Sequence, residues 1–172
     1  MAQVRFTCEH RHESIQPLLV SPLASGIKDF TKLVDYFEYS APGIDSIHAK
    51  QISDLNHETV IKKMLRIAGM KRYKFLQKPQ QKTFANYDLY GENLCIKCQR
   101  MVCQKFSNET DYQALIRHIR NGLAHGRIYV KKTKNQIYLF IEDFDSKRKN
   151  ITARIIITRR TLEKWKEHLE EL

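Results

Sequence analysis

The feature that most constrains this chain is a change of hydrophobic period near residue 127. Before it, Tyr112, Leu115, Ile116, Ile119 and Leu123 recur every three or four residues, the stripe of a helix with one buried face. Gly126 is well suited to end that helix. After it the period is two. Ile128 and Val130 flank Tyr129; Ile137, Leu139 and Ile141 alternate with Tyr138 and Phe140; Ile151, Ala153, Ile155 and Ile157 alternate with Thr152, Arg154 and Thr158. This pattern predicts a helix feeding three short antiparallel strands, with turns near Lys134-Asn135 and across residues 146–150. A last helix carries Leu162, Trp165 and Leu169 on one face.

Upstream the signals are mostly helical. Residues 1–22 read as irregular. Helical spacing runs from Leu23 to Tyr39 and is stopped by Ala41-Pro42-Gly43. A second helical stretch runs from Asp45 to Ala68, with a break at Asn56 and Gly69 as its end. Residues 70–87 have no clean period and read as a long basic loop around Pro79. A third helix is expected from Asn93 to Phe106. Ser107 or Asn108 then caps a fourth, with Glu109 and Asp111 in its first turn. The expected class is mainly α (α+β): a four- to five-helix bundle with a small C-terminal antiparallel β element and a last helix. At 172 residues one domain, 1–172, can bury a core, with the bundle in 1–126 and the β element and last helix in 127–172.

Charge narrows the partners. The net charge is +11, and two windows without any acid, between Glu58 and Asp88 and between Asp111 and Glu142, hold fourteen of the thirty bases. Such segregation implies a positive face suited to a polyanion. In the first window Lys71, Arg72, Tyr73 and Lys74 interleave charge with an aromatic ring, which suits stacking on bases while neutralising phosphates. Arg117, His118, Arg127 and Lys131 are the corresponding RNA contacts expected in the second. No apolar run is long enough to span a bilayer, so no membrane partner is expected, and the N-terminus lacks the apolar core of a signal peptide; the expected location is cytoplasmic.

Cys8, Cys95, Cys98 and Cys103 raise the question of a metal. Cys95-Ile-Lys-Cys98 has zinc-like spacing, and Cys8 with His10 or His12 would complete a tetrahedral set. Against this, a second such pair is missing, and Cys98 falls on the apolar side of the third expected helix with Leu94, Met101 and Val102. The reading is therefore reduced, partly buried cysteines, with no metal and no cofactor.

The chemistry concentrates in residues 116–127, where three arginines and two histidines occur without an acid. RNA can be cleaved without metal when a base takes the proton of a 2′-hydroxyl that attacks the adjacent phosphate. Histidine suits that proton transfer, and arginine suits the charge that builds on phosphate oxygens. Arg120 and His125 are the candidates, with Asn121 orienting either. Helix geometry sets a condition. Five residues at about 100° each put Arg120 and His125 roughly 140° apart around one helix. Either Gly122 and Gly126 loosen the last turn, or the site combines residues of two subunits.

Arg120, Asn121 and His125, with Gly126 following and the context Ile119-Arg-Asn-Gly-Leu-Ala-His-Gly, resemble the HEPN superfamily. Its ribonuclease members carry Arg, a polar residue, and then a His after four to six intervening residues, four in this sequence; the context is similar to plasmid- and phage-borne members. The resemblance implies a HEPN-like bundle and a dimeric, metal-independent endoribonuclease that leaves a 2′,3′-cyclic phosphate and a 5′-hydroxyl. Arg120 and His125 would carry the chemistry, with Asn121 in support. It also implies a toxin or antiviral defence effector, with an antitoxin or regulatory protein as a further partner. One subfamily has a regulatory tyrosine two residues after the histidine; Arg127 stands there in this sequence. The alternatives are a non-catalytic, nucleic-acid-binding or regulatory HEPN domain, and a protein-interaction module whose basic surface recognises an acidic partner.

Overall fold

The strands expected after residue 127 form, but within a larger sheet than the sequence foretells. A computed structural model describes residues 8, 10–15, 28–43 and 54–172. In chain order the elements are β1 (Glu13–Ser14), α1 (Phe30–Asp35), α2 (His57–Ala68), β2 (Tyr73–Leu76), α3 (Gln81–Asn86), β3 (Asn93–Leu94), β4 (Arg100–Gln104), α4 (Asp111–Ala124), β5 (Ile128–Lys132), β6 (Ile137–Phe144), β7 (Ile151–Thr158) and α5 (Arg159–Glu170). Five strands pair in the order β2-β4-β7-β6-β5, and β1 pairs with β3. Among the described strands only β2 and β4 run parallel.

The helical-bundle expectation is therefore wrong. Of the described residues about 39% are helical and 24% are in strands, an α+β fold built on a five-stranded mixed sheet. Residues 93–106 are not a helix: they hold β3, a series of bends, and β4. Met101, Val102 and Cys103 in β4 are all fully buried. A strand covered on both faces shows no alternation, and its apolar run imitated helical spacing. Residues 70–87 are not one loop either, but β2 and α3. The register Met101↔Ile155 joins β4 to β7, so the sheet draws on both sides of Gly126.

The sheet lies between two layers. On one face Met101, Cys103, Leu139, Ile141, Ala153, Ile155 and Ile157 share a core with α1, α2, α4 and α5. On the other, Val102, Phe140 and Ile156 pack with Phe84 of α3 and with Leu89, Leu94 and Ile96. Trp165 ties α5 to α2, its indole N–H donating to the Met64 carbonyl at 2.7 Å.

Local signals set the helix ends. Asn56 caps α2, its side chain accepting from Thr59 N–H, and Gly69 ends it at φ 60°, as the sequence predicts. The cap of α4 is Thr110, not Ser107 or Asn108. Its hydroxyl accepts from the Gln113 N–H at 3.2 Å while the Gln113 side chain accepts from the Thr110 N–H at 2.9 Å. Glu109 thus precedes the helix. After α1 the chain makes a π-helical turn, Tyr36–Ser40. The expected helical residues 23–27 and 45–53 lie outside the described residues. Among the described residues no helix is long and apolar enough to cross a membrane.

Candidate nuclease site at the end of α4

α4 lies so close to the sheet that Gly122 is required. A Cβ there would sit 2.4 Å from Ile141 Cγ2 and 3.2 Å from the Glu142 carbonyl oxygen. Gly122 remains fully helical, so it is a packing residue and does not loosen the turn. The helix closes with His125 at its C-cap and Gly126 at φ 63°. The Arg127 N–H reaches the Gly122 carbonyl at 2.7 Å and the Gly126 N–H reaches Leu123 at 3.1 Å, a Schellman closure. His125 is thereby turned out of the helix at its last step.

Three of the five arginine and histidine side chains in residues 116–127 are committed to neighbours. His118, expected from the sequence as an RNA contact, is completely buried. Its Nδ1 lies 2.7 Å from Asp143 Oδ2 and its Nε2 2.7 Å from the Gln104 carbonyl oxygen. Both partners are acceptors, so the pair is fully satisfied only with a proton on each ring nitrogen. The sequence hid this because the sheet, not solvent, covers that face of α4. Arg117 grips Glu109 through Nε at 2.7 Å and Nη2 at 2.8 Å, donates to the Gln104 carbonyl, and stacks over Phe106. Arg127 stacks over Phe144 at 4.2 Å and lies 3.6 Å from Glu142.

Arg120 and His125 differ. Among the described residues neither side chain makes a hydrogen bond or an ion pair. Asn121 sits between them and is anchored, its Nδ2 donating to Asp143 Oδ2 at 3.1 Å. Asp143, which sequence reasoning missed, therefore holds both His118 and Asn121. Burial pushes its carboxyl up, but the hydrogen bond and charge of His118 and the bond from Asn121 outweigh this and hold it below its ordinary value. The available signal was two acids, Glu142 and Asp143, inside an apolar strand. Glu38 is a second residue not foreseen. Burial and Asp35 raise its carboxyl, and the Arg120 guanidinium partly offsets them, so Glu38 lies within electrostatic reach of Arg120.

Two cavities adjoin this helix. One, of about 320 Å³, is lined by Arg120 with Gln113, Ile116 and Glu109. The other, of about 780 Å³, is lined by Asn121 and His125 with Arg127, Asp143, Phe144 and Arg148. Arg117 and Phe106 border both. Within one chain, then, Arg120 and His125 open into different cavities, in keeping with their angular separation.

The other expected RNA contacts are scattered. Lys71 and Tyr73 line a shallow depression with Lys62 and Arg66 at the end of α2, and Lys74 is exposed on the edge strand β2. Arg72 donates to the Asn86 carbonyl at 2.9 Å and stacks over Tyr87. Lys131, on the opposite edge strand β5, is paired with Glu13. No cysteine lines either cavity beside α4; Cys8, His10, Cys95 and Cys98 gather separately.

Fold and site together define an α+β domain with an Arg-Asn-x3-His motif at the end of a capped helix packed on the sheet. The family model described as HEPN pEK499 p136 matches residues 44–172, and the chain belongs to that family, within the HEPN superfamily. No curated protein and no solved structure matches the chain.

Proposed function

We propose that this HEPN protein is a metal-independent endoribonuclease, acting as a homodimer and serving as a toxin or antiviral defence effector. The observation that carries the reading is selective commitment. Arg117, His118 and Arg127 are spent on Glu109, Asp143 and Phe144, whereas the motif's Arg120 and His125 make no hydrogen bond or ion pair among the described residues. Arginines and histidines left unpaired beside a cavity suit binding and proton transfer at phosphate.

In the proposed reaction the 2′-oxygen of RNA bonds to the adjacent phosphorus as its proton passes to one His125. The bond from phosphorus to the 5′-oxygen breaks, and that oxygen takes the proton from the same His125, which now acts as the acid. Arg120 donates to the phosphate oxygens as their charge grows. A two-fold axis beside α4 brings the Arg120 of one chain to the cavity that holds the His125 of the other, giving two such sites per dimer. Asn121, fixed by Asp143, positions the backbone and side chains between them.

The test is cleavage of a labelled RNA by the full chain during brief exposure to EDTA, alongside Arg120→Ala and His125→Ala. Loss of cleavage in both variants, with the fold and RNA affinity kept, supports the reading. Unchanged cleavage by His125→Ala rejects it, and RNA binding without cleavage by the unmutated chain favours a non-catalytic HEPN domain.

A further inference from the structure

We infer that Cys8, His10, Cys95 and Cys98 form a structural zinc site that staples the N-terminal segment to the bends before β4. Their four ligand atoms all lie within 4.8 Å of one another. Cys8 Sγ is 3.0 Å from Cys95 Sγ and 3.3 Å from Cys98 Sγ, and those two are 3.5 Å apart. His10 Nδ1 lies 3.3 Å from Cys8 Sγ and 3.6 Å from Cys98 Sγ. A tetrahedral zinc with ordinary Zn–S and Zn–N lengths sets such edges at about 3.6–3.8 Å. These five edges, 3.0–3.6 Å, lie at or slightly below those lengths, and His10 Nδ1 and Cys95 Sγ close the set within 4.8 Å.

The sequence lacks a second Cys-x-x-Cys pair and sets Cys98 on an expected helix; in the fold Cys98 belongs to no helix, and Cys8 with His10 stands where a second pair would. Cys95 and Cys98 bracket a set of bends between β3 and β4, where a Cys-x-x-Cys turn can aim both sulfurs inward. All four cysteines are free thiols. Cys103 is the built-in contrast, buried in β4 among the apolar residues of the helical layer.

The surroundings are those of a made site. Arg100 is completely buried, an expensive place for a guanidinium, and its hydrogen bonds shape the turn. Its Nη1 donates to the Cys95 carbonyl at 2.7 Å and to the Cys98 carbonyl at 2.6 Å, while Nε and Nη2 reach the carbonyls of Tyr87 and Asp88. From the other side, β1 pairs Glu13 with Leu94 and Ser14 with Asn93, and the Ile15 N–H donates to the Glu92 carbonyl at 2.9 Å. That two-residue pairing is too short to hold a segment alone. Four protein ligands leave no open position, which marks a structural site, and three thiolates with an imidazole select zinc over magnesium or calcium.

The experiment uses the full chain, purified without chelator and freed of any affinity tag. Elemental analysis is expected to give one zinc per chain, retained through desalting and released when a mercurial titrates the thiols. Cys98→Ser and Cys8→Ser are expected to lose the metal, and Cys103→Ser to keep it. Should the ligand variants fail to fold, cobalt exchanged into the unmutated chain decides the matter. Tetrahedral visible bands with charge-transfer intensity for three thiolates support the site. A chain refolded with zinc that binds none, cobalt spectra with fewer than three thiolates, or equal metal loss in Cys103→Ser would overturn it. None of these readouts depends on RNA cleavage.

Discussion

His118 and Asp143 form a buried pair, Nδ1 to Oδ2 at 2.7 Å, that joins the middle of α4 to the end of β6. The same oxygen accepts from Asn121, so the scaffold beneath the proposed nuclease motif rests on one carboxylate. The motif's polar middle residue is thus set by the sheet as well as by its own helix.

Removing that carboxylate is expected to be costly. Asp143→Ala leaves a buried imidazole without its partner and should cost about 3–5 kcal/mol in urea unfolding. The pH dependence has a definite sign. A carboxyl held below its ordinary value of about 3.9 stabilises the fold above that pH, and the contribution is lost as pH falls through the lower folded value. The stability gap between the unmutated chain and Asp143→Asn should therefore be full near neutrality and shrink on acidification. A gap that widens in acid contradicts this pairing.

The close approach of α4 to β6 makes a second prediction. Gly122→Ala drives a methyl into Ile141 Cγ2, a stiff β-branched neighbour, and should destabilise by about 1–3 kcal/mol. Ile141→Ala relieves the clash, so the double variant should lose less than the sum of the two single losses. Additive losses would remove the contact from the account.

The last strands and the helix ends were legible because their signals are local. Ile128 to Ile157 alternate, Gly69 and Gly126 take φ near 60°, and both end helices. What failed were the segments whose character is decided from a distance. β4 is buried on both faces by α4 and by the layer holding Leu94 and Ile96, and without alternation it reads as a helix. Lys131 appears as a free base in sequence but meets Glu13 across a separation no spacing rule reveals. His118 lies off the apolar stripe of α4, and only tertiary packing could tell that it meets Asp143 rather than water. Arg120 and His125 stand out in the sequence because their signal is a motif, and among the described residues they lack the hydrogen bonds and ion pairs that Arg117 makes.

Lys71, Tyr73 and Lys74 on and beside β2 are the exposed part of the expected RNA surface. If RNA crosses this edge, the logarithm of affinity should fall linearly with the logarithm of salt, and Lys71→Ala and Lys74→Ala should each lower the slope by about 0.7. Tyr73→Ala should weaken binding by about 1–3 kcal/mol with the slope kept, as expected for a stacked ring. Unaltered slopes in both lysine variants would take the RNA path off this edge.

The central claim is a ribonuclease site shared between two chains, and mixing two inactive variants tests it most directly. Arg120→Ala and His125→Ala are purified separately, denatured together, refolded and assayed on RNA. In a shared site, the mixed dimer joins the intact Arg120 of one chain to the intact His125 of the other. Random pairing then restores about a quarter of the unmutated activity from two inactive parents. A mixture as inactive as its parents, beside an active unmutated dimer, would contradict the account.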